Sequence, residues 1–295
     1  MRVSTTTIRG LREELRGATY VGRATHCCVD IYTFDGARCP RLMRQVWCER
    51  EASFRGVGVA LGGDSKGDRA DVDGTCRQLI VWDDTRQRIV GGYRYTFCAD
   101  VEKERLALWR YFNFTPRFEH DYLPYAVELG RSFVSADYQC AIQRNTIFAL
   151  DALWEGLGRV VVDADVRYLF GRVTLYPSLG ARARNLLVGF LRYIFPPRES
   201  LMRARQPFTV GVSRYRCGKI FTGETLKNNY KILLSRLRSM HRTMPPILSS
   251  YMRLSPSMQA FDCYLNSDLG DVAEMAIMLT VDDFYDDIKQ RYFSV

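Results

Sequence analysis

The run YAVELGRSFVS, Tyr125–Ser135, carries two charges inside an otherwise apolar stretch. The pattern predicts a buried strand, and buried carboxylates and guanidiniums are kept only where they are paired or used. A partly desolvated carboxylate such as Glu128 has a raised affinity for protons and can act as a general base, directly or through one water. The plainer alternative is a structural ion pair between Glu128 and Arg131, or with Asp71, Asp73 or Arg94. Three residues is an odd separation, so a regular strand sends Glu128 and Arg131 to opposite faces. A bulge or splay at Gly130 changes that register and can turn both toward one cleft. Such an irregularity also leaves backbone N–H groups around Gly130–Ser132 without partners, able to hold an oxyanion.

Two further clusters can bind a small charged molecule. Asp71 and Asp73 stand two apart in DRADVDG, so an extended chain turns both to one side, where a cationic amino group can bind; a solvated loop is the commoner explanation. Arg94, after Gly91 and Gly92 in IVGGYRYTF, can clamp a carboxylate with two N–H donors or form a salt bridge. The three histidines, His26, His120 and His241, are far apart. His26, Cys27 and Cys28 are neighbours that cannot easily converge on one ion, so no metal is expected. Nine cysteines without a CxxC pair read as reduced thiols, and no Cys–His signature marks a nucleophile.

These residues need a sizeable core to hold them. The chain of 295 residues is 47% hydrophobic and 13% aromatic, enough for one large domain. No run of 18 apolar residues appears and the N-terminus lacks a signal-peptide core, so the chain is expected to stay in the cytoplasm. The net charge is +9, yet eight acidic residues and no Lys or Arg fall between Asp262 and Ile288. A basic body with an acidic tail suits an acidic partner: nucleic acid, an anionic membrane surface or an acidic carrier protein. The aromatics are spread through apolar strands rather than set between basic residues, which argues against single-stranded nucleic acid.

Periodicity predicts helices at Thr7–Arg16 and Pro40–Arg55, with a strand pair at Tyr20–Thr33 between them. A polar, glycine-rich loop over residues 56–75 precedes a hairpin, Gln78–Asp83 and Ile89–Phe97. After the charged strand come a helix, Ile147–Arg159, stopping at Gly158, and a strand, Tyr168–Tyr176. A helix at Ala181–Phe195 is closed by Pro196 and Pro197. A basic helix at Leu226–Met240 and strands at FDCYLN and AEMAIMLTV complete the chain. The fold class is α/β. One domain is expected over 1–295: a core at about 20–195, a basic helical insertion at 196–245, and strands completing the sheet at 246–295.

The paired segments IVGGYRYTF and ELGRSFV resemble the signature of acyl-homoserine-lactone synthases and of bacterial N-acyltransferases that make ornithine and glycine lipids, all members of the GNAT superfamily. LMRQVWCER resembles their first-helix motif and DRADVDG their acidic loop. ALDALWEGLG, YLFGRVTLYPS and PPILSSYMRLS resemble the glycine-lipid branch, many members of which carry the label hemolysin. The resemblance covers residues 38–290. One departure is Met43, with Arg44 beside it, where the synthases place an arginine. The resemblance implies a GNAT-like fold, a central mixed twisted sheet with a splayed central strand flanked by helices. It implies direct transfer of a long acyl chain from a thioester to the amine of a small amino acid such as glycine or ornithine, for aminolipid synthesis. Glu128, Gly130, Arg131 and Ser132 would serve catalysis, and Arg44, Asp71, Asp73 and Arg94 the acceptor.

Phe133, Ser135, Gln139 and Arg144 would meet the donor. The loop SADYQCAIQRN has no glycine to cradle a pyrophosphate, which favours acyl carrier protein, with its single-phosphate phosphopantetheine, over coenzyme A. Arg144, Arg182, Arg184 and Arg192 can meet an acidic carrier, and the basic helices can lie on an anionic inner-membrane face, although solvated edges of core helices are commoner. The alternatives are an acyl-CoA-dependent acetyltransferase acting on another amine, and a non-catalytic protein of the same fold that binds acyl chains or nucleic acid.

Overall fold

The computed structural model describes residues 5–56, 67–139, 145–162, 164–208, 211–266 and 272–293. An eight-stranded sheet crosses the molecule in the order β1 (Thr19–Arg23), β2 (Asp30–Phe34), β3 (Arg77–Asp83), β4 (Arg88–Phe97), β6 (Ala126–Val134), β7 (Tyr168–Leu175), β10 (Val272–Thr280) and β9 (Gln259–Asn266). Every neighbouring pair is antiparallel except β6 and β7. Two short strands, β5 (Phe112–Phe114) and β8 (Met202–Ala204), form a separate ribbon. The helices are α1 (Thr5–Gly17), α2 (Pro40–Gly56), α3 (Asn145–Val162), α4 (Gly180–Ile194), α5 (Arg214–Ile220), α6 (Leu226–Ser239), α7 (Pro246–Leu254) and α8 (Asp286–Tyr292). The fold is the mixed α/β architecture expected from the alternating element types.

Strand alternation assigns the two faces. Leu79 and Val81 of β3, Val127 and Leu129 of β6, Leu169 and Val173 of β7 and Met275 and Ile277 of β10 bury one face against α3, α4, α6 and α7. The intervening residues face the other way and divide into two apolar clusters. Ile80, Trp82 and Ile89 pack under α1 and α2. Phe170, Ala276 and Met278 pack under the aromatic segment that precedes β6. In that segment Phe118 lies edge-on to Phe114 at 4.9 Å and to Phe170 at 5.5 Å.

The expected irregularity in the central strand is present in two forms. Gly92 pairs with Phe133 and Arg94 with Gly130, so Arg131 and Ser132 together oppose Tyr93 alone, a β-bulge. Its left-handed residue is Arg131, at φ 51°, one position beyond the glycine. On its other edge β6 pairs with β7 only from Ala126–Tyr168 to Leu129–Gly171, and the two strands then part. β7 meanwhile stays paired with β10 from Tyr168 to Leu175.

One expected boundary moves: α3 runs through Gly158 to Val162 instead of stopping there. Gly158 serves packing, since a Cβ at that position would lie 2.0 Å from the Tyr292 carbonyl oxygen of α8. Gly171, at the point where the strands part, is constrained in the same way. A Cβ there would come 2.4 Å from the Leu129 carbonyl oxygen, whereas one on Gly130 meets nothing nearer than Arg94 Nε at 3.8 Å. Gly171→Ala is therefore expected to destabilise the fold by roughly 1–3 kcal/mol, and Gly130→Ala by less than about 1 kcal/mol. Thermal unfolding of both variants beside the wild type measures this, and matching melting temperatures would contradict so close an approach.

Candidate functional site

Between the two apolar clusters runs a band of polar side chains: Gln78 on β3, Arg94 on β4, Glu128 on β6, Arg172 on β7 and Glu274 on β10. Alternation puts these positions on the face opposite α3 and α4, and Gln78 and Arg94 are direct cross-strand partners. Gln78, Arg94, Glu128 and Glu274 are each 6% exposed or less. Charges at that depth must be compensated by neighbours.

The compensation on the β3–β4 side comes from α2 and the 3₁₀ turn Arg69–Asp71. The apolar stripe of α2, Leu42, Met43 and Val46, continues one turn on as Arg50, which the helix therefore buries. Arg50 Nη1 donates to Asp71 Oδ2 at 2.8 Å and Nη2 to Gln78 Oε1 at 3.0 Å. Asp71 also accepts from Trp47 Nε1 and Gln78 Nε2, both at 2.9 Å, and Arg94 Nη1 stands 3.6 Å away. Burial lowers the Arg50 guanidinium to about 10, so it stays charged at neutral pH. Burial also opposes ionisation of Asp71, but Arg50 and Arg94 outweigh it and hold the carboxyl below its usual range. Asp68 accepts from Arg94 Nη1 at 2.5 Å and from Arg131 Nη2 at 3.3 Å. These two arginines keep it ionised against its partial burial.

On the far side Glu128 accepts from the backbone N–H groups of Ala107 and Leu108 at 2.8 and 2.7 Å. Burial raises its pKa above the ordinary value, and the two N–H donors, Arg172 and Arg94 restrain the rise. Burial lowers the pKa of Arg131, the like charges of Arg94 and Arg172 lower it further, and Asp68 opposes the fall. Glu274 accepts from Thr174 Oγ1 at 2.9 Å, Asn266 Nδ2 at 2.8 Å and Tyr264 OH, with Arg172 Nε at 3.5 Å.

Three cavities meet at the parting strands. The first, about 50 Å³, is lined by the charged and polar Arg131, Ser132, Arg172 and Glu274 on one hand and by Phe54, Val173, Ile247 and Tyr251 on the other. The second, about 10 Å³, lies between Glu128, Arg94, Gly130 and Arg172. The third, about 390 Å³, is mostly apolar and runs past Phe54, Phe133, Leu150, Leu153 and Ile247; it shares Ser132, Tyr176, Phe54 and Ile247 with the first. Beyond Leu129 the edge of β6 facing β7 has no strand partner among the described residues, so its backbone groups border this junction. The arrangement offers a charged pocket, a long apolar pocket and unpaired backbone between them.

Residues 50–149 match the family described as an acetyltransferase (GNAT) domain. The chain is 37% identical over 270 residues to the glycine N(alpha)-acyltransferase of Bacteroides thetaiotaomicron, covering 89% of this chain and 80% of the relative. The glycine N(alpha)-acyltransferase of Phocaeicola vulgatus is 35% identical over 271 residues, covering 89% and 83%. The chain belongs to the GNAT N-acyltransferase family. The N-acyltransferase also resembles a solved aminoglycoside 6'-N-acetyltransferase complexed with coenzyme A, at 11% identity over 85% of this chain and 96% of that one, with a TM-score of 0.40.

The sequence-predicted residues of the N-acyltransferase fall into three groups. Glu128, Gly130, Arg131, Ser132, Phe133 and Arg94 gather at the three cavities. Gln139 lines the apolar cavity and donates to the Val134 carbonyl at 2.6 Å, beside Ser53 Oγ, which donates to the same oxygen at 2.8 Å. Asp71, Asp73 and Ser135 are engaged elsewhere. Asp71 is fully buried in its network; Asp73 accepts from Thr75 and pairs with Arg105; Ser135 Oγ donates to the Ile89 carbonyl at 2.7 Å. Arg44 is exposed on α2, and Arg144 lies outside the described residues. Arg50, Asp68, Arg172 and Glu274 were not singled out from the sequence. The signal was available, since each strand charge interrupts an apolar run as Glu128 does.

Removing one partner of the buried pair strands the other. Arg50→Ala is expected to cost about 3–5 kcal/mol, against at most about 1 kcal/mol for Arg12→Ala at the exposed Asp84 pair. Because Asp71 titrates below its unfolded value, its contribution is present above about pH 4 and fades as the pH falls further. Denaturant titrations across that window should find wild type and Asp71→Asn converging in acid, and a constant gap would refute the assignment.

Proposed function

We propose that the protein is a glycine N-acyltransferase that moves a long acyl chain from a thioester on acyl carrier protein to the amine of glycine, supplying an N-acyl amino acid for aminolipid synthesis. The observation that carries the reading is the junction at Ser132 of a small charged pocket with a long apolar one. A volume of about 50 Å³ corresponds to about four water-sized sites, the scale of an amino acid with five heavy atoms. Arg131 and Arg172 suit its carboxylate and Glu274 its amino group. The apolar cavity suits an extended acyl chain. The names of both relatives support glycine as acceptor, and the absence of glycine in SADYQCAIQRN supports a carrier-protein donor.

The step balances as direct transfer. The ammonium of glycine gives up one proton, its nitrogen forms the C–N bond at the thioester carbon, and the C–S bond breaks; the second proton lost by the nitrogen goes to the departing thiolate, which leaves as the carrier thiol. Glu128 takes the first proton through a single water in the cavity of about 10 Å³, which is the volume one water needs. Backbone N–H groups of Gly130–Ser132 hold the oxyanion. A second reading gives the proton to Glu274, which lines the acceptor pocket while Glu128 borders it through the smaller cavity.

Purified enzyme with palmitoyl carrier protein and glycine, followed by thiol release and mass spectrometry, tests both. Failure to form N-acylglycine from either carrier or coenzyme A thioesters would sink the function. Glu128→Gln is expected to lower kcat by about 10²–10⁴-fold. The raised pKa of Glu128 means that the wild type loses activity as the pH falls through a value above the ordinary glutamate range near 4.3. Glycine's own protonation affects wild type and variants alike, so the extra acid limb should vanish in Glu128→Gln; its loss in Glu274→Gln alone would transfer the role. Leu150→Trp should shorten the preferred chain, lowering kcat/KM by roughly fourfold per methylene excluded, as read by competition between acyl donors. An unchanged preference would place the chain elsewhere.

A further inference from the structure

Charge compensation, nearly complete around the sheet, stops abruptly after β8. Between residues 200 and 261 the sequence has eleven Lys and Arg and a single acidic residue, Glu224. Arg214, Arg216 and Lys219 of α5 and Lys227, Lys231, Arg236 and Arg238 of α6 are all exposed. Among the described residues none of these seven has an ion-pair partner, whereas Arg50, Arg94, Arg131, Arg159 and Arg172 are all paired. Their like charges repel one another at low salt, a cost that an external anionic surface relieves.

Three features choose between kinds of partner. The charge is spread along α6, whose 14 residues extend about 21 Å. Tyr215 stands 73% exposed among the cations, an amphipathic ring of the kind enriched where protein meets lipid head groups. The chain also leads from this face to the apolar cavity: Tyr230 of α6 bonds Ser249 of α7 at 2.7 Å, and Pro245, Pro246 and Ile247 line the cavity. Ile147, which lines the same cavity, is 63% exposed, and its neighbour Phe148 is 39% exposed. No described helix is long and apolar enough to cross a membrane, so any lipid contact by these helices is peripheral.

We infer that the exposed face of α5 and α6 docks on an anionic lipid bilayer, with the apolar cavity opening beside it. Docking rests on the unpaired charge and exposed Tyr215; the further point, that an acylated product passes from the cavity into the bilayer, rests on the function proposed above. The contact is electrostatic, so it weakens as salt rises.

Co-sedimentation with phosphatidylglycerol-containing and pure phosphatidylcholine vesicles tests the inference. The wild type should bind the anionic vesicles, release them at high salt and ignore the neutral ones. Each basic residue removed near a charged bilayer weakens binding by about fivefold, so Lys219→Gln/Lys227→Gln/Lys231→Gln should lose about a hundredfold. Unchanged melting behaviour of the triple variant checks its fold. Equal binding to both vesicles, or a triple variant that binds as the wild type does, overturns the proposal. So does a triple variant whose KM for acyl carrier protein rises while vesicle binding is kept, which would assign the face to the carrier. Vesicle binding by a protein without acyl-transfer activity would leave the docking standing and remove the function instead.

Discussion

Four residues of parallel pairing, ending at Leu129 and Gly171, govern the rest of the structure. Two half-sheets meet along that short seam. β7 cannot follow β6 because it is bonded to β10 along its length, and β6 cannot follow β7 because its other edge stays with β4 up to Val134. Divergence is then the geometric outcome. An unpaired backbone edge inside a protein is costly, so it persists only where other groups satisfy it or where a substrate does. At Val134 the satisfaction is internal, from Ser53 and Gln139. Nearer the seam, pockets rather than side chains border the edge.

The polar band that crosses this seam contributes little to net stability, because desolvation offsets most of the attraction in a buried ion pair. Its value is positional. Asp68 holds both Arg94 and Arg131, Asp71 ties α2 to β3 through Arg50 and Gln78, and Arg172 pairs with Glu274 and shares a small cavity with Glu128. A displacement of any one strand would leave a charge unmatched, so the band locks the register across five strands. The aromatic segment before β6 contributes to the same lock. It covers Phe170 and delivers the Ala107 and Leu108 N–H groups to Glu128.

The α/β class, the hairpin, the central charged strand and the helix after it were legible because each rests on local periodicity. The bulge was legible too, from the odd spacing of Glu128 and Arg131, but its strained residue was not: nothing local indicates that the left-handed position falls on the arginine rather than on Gly130. The role of Asp71 was misjudged because a polar, glycine-rich segment normally faces solvent, and only tertiary packing reveals that α2 brings Arg50 and Trp47 over it. Gly158 misled for a related reason. Glycine ends helices, yet here a second helix needs the room. Arg172 and Glu274 lie in strands far along the chain, and their convergence depends on strand order, which periodicity does not encode.

Arg131 adopts a backbone conformation that suits glycine or asparagine and costs an arginine about 1–2 kcal/mol. A sequence optimised for foldability alone would therefore drift away from arginine at this position, and toward the very residue that already stands beside it. The arginine in this strained position lines the small cavity and meets Asp68, contacts that a glycine could not make. Selection for thermostability alone would favour glycine there, and the stabilised protein would keep Arg172 and Glu274 at the cavity but leave Asp68 with one of its two arginines, Arg94.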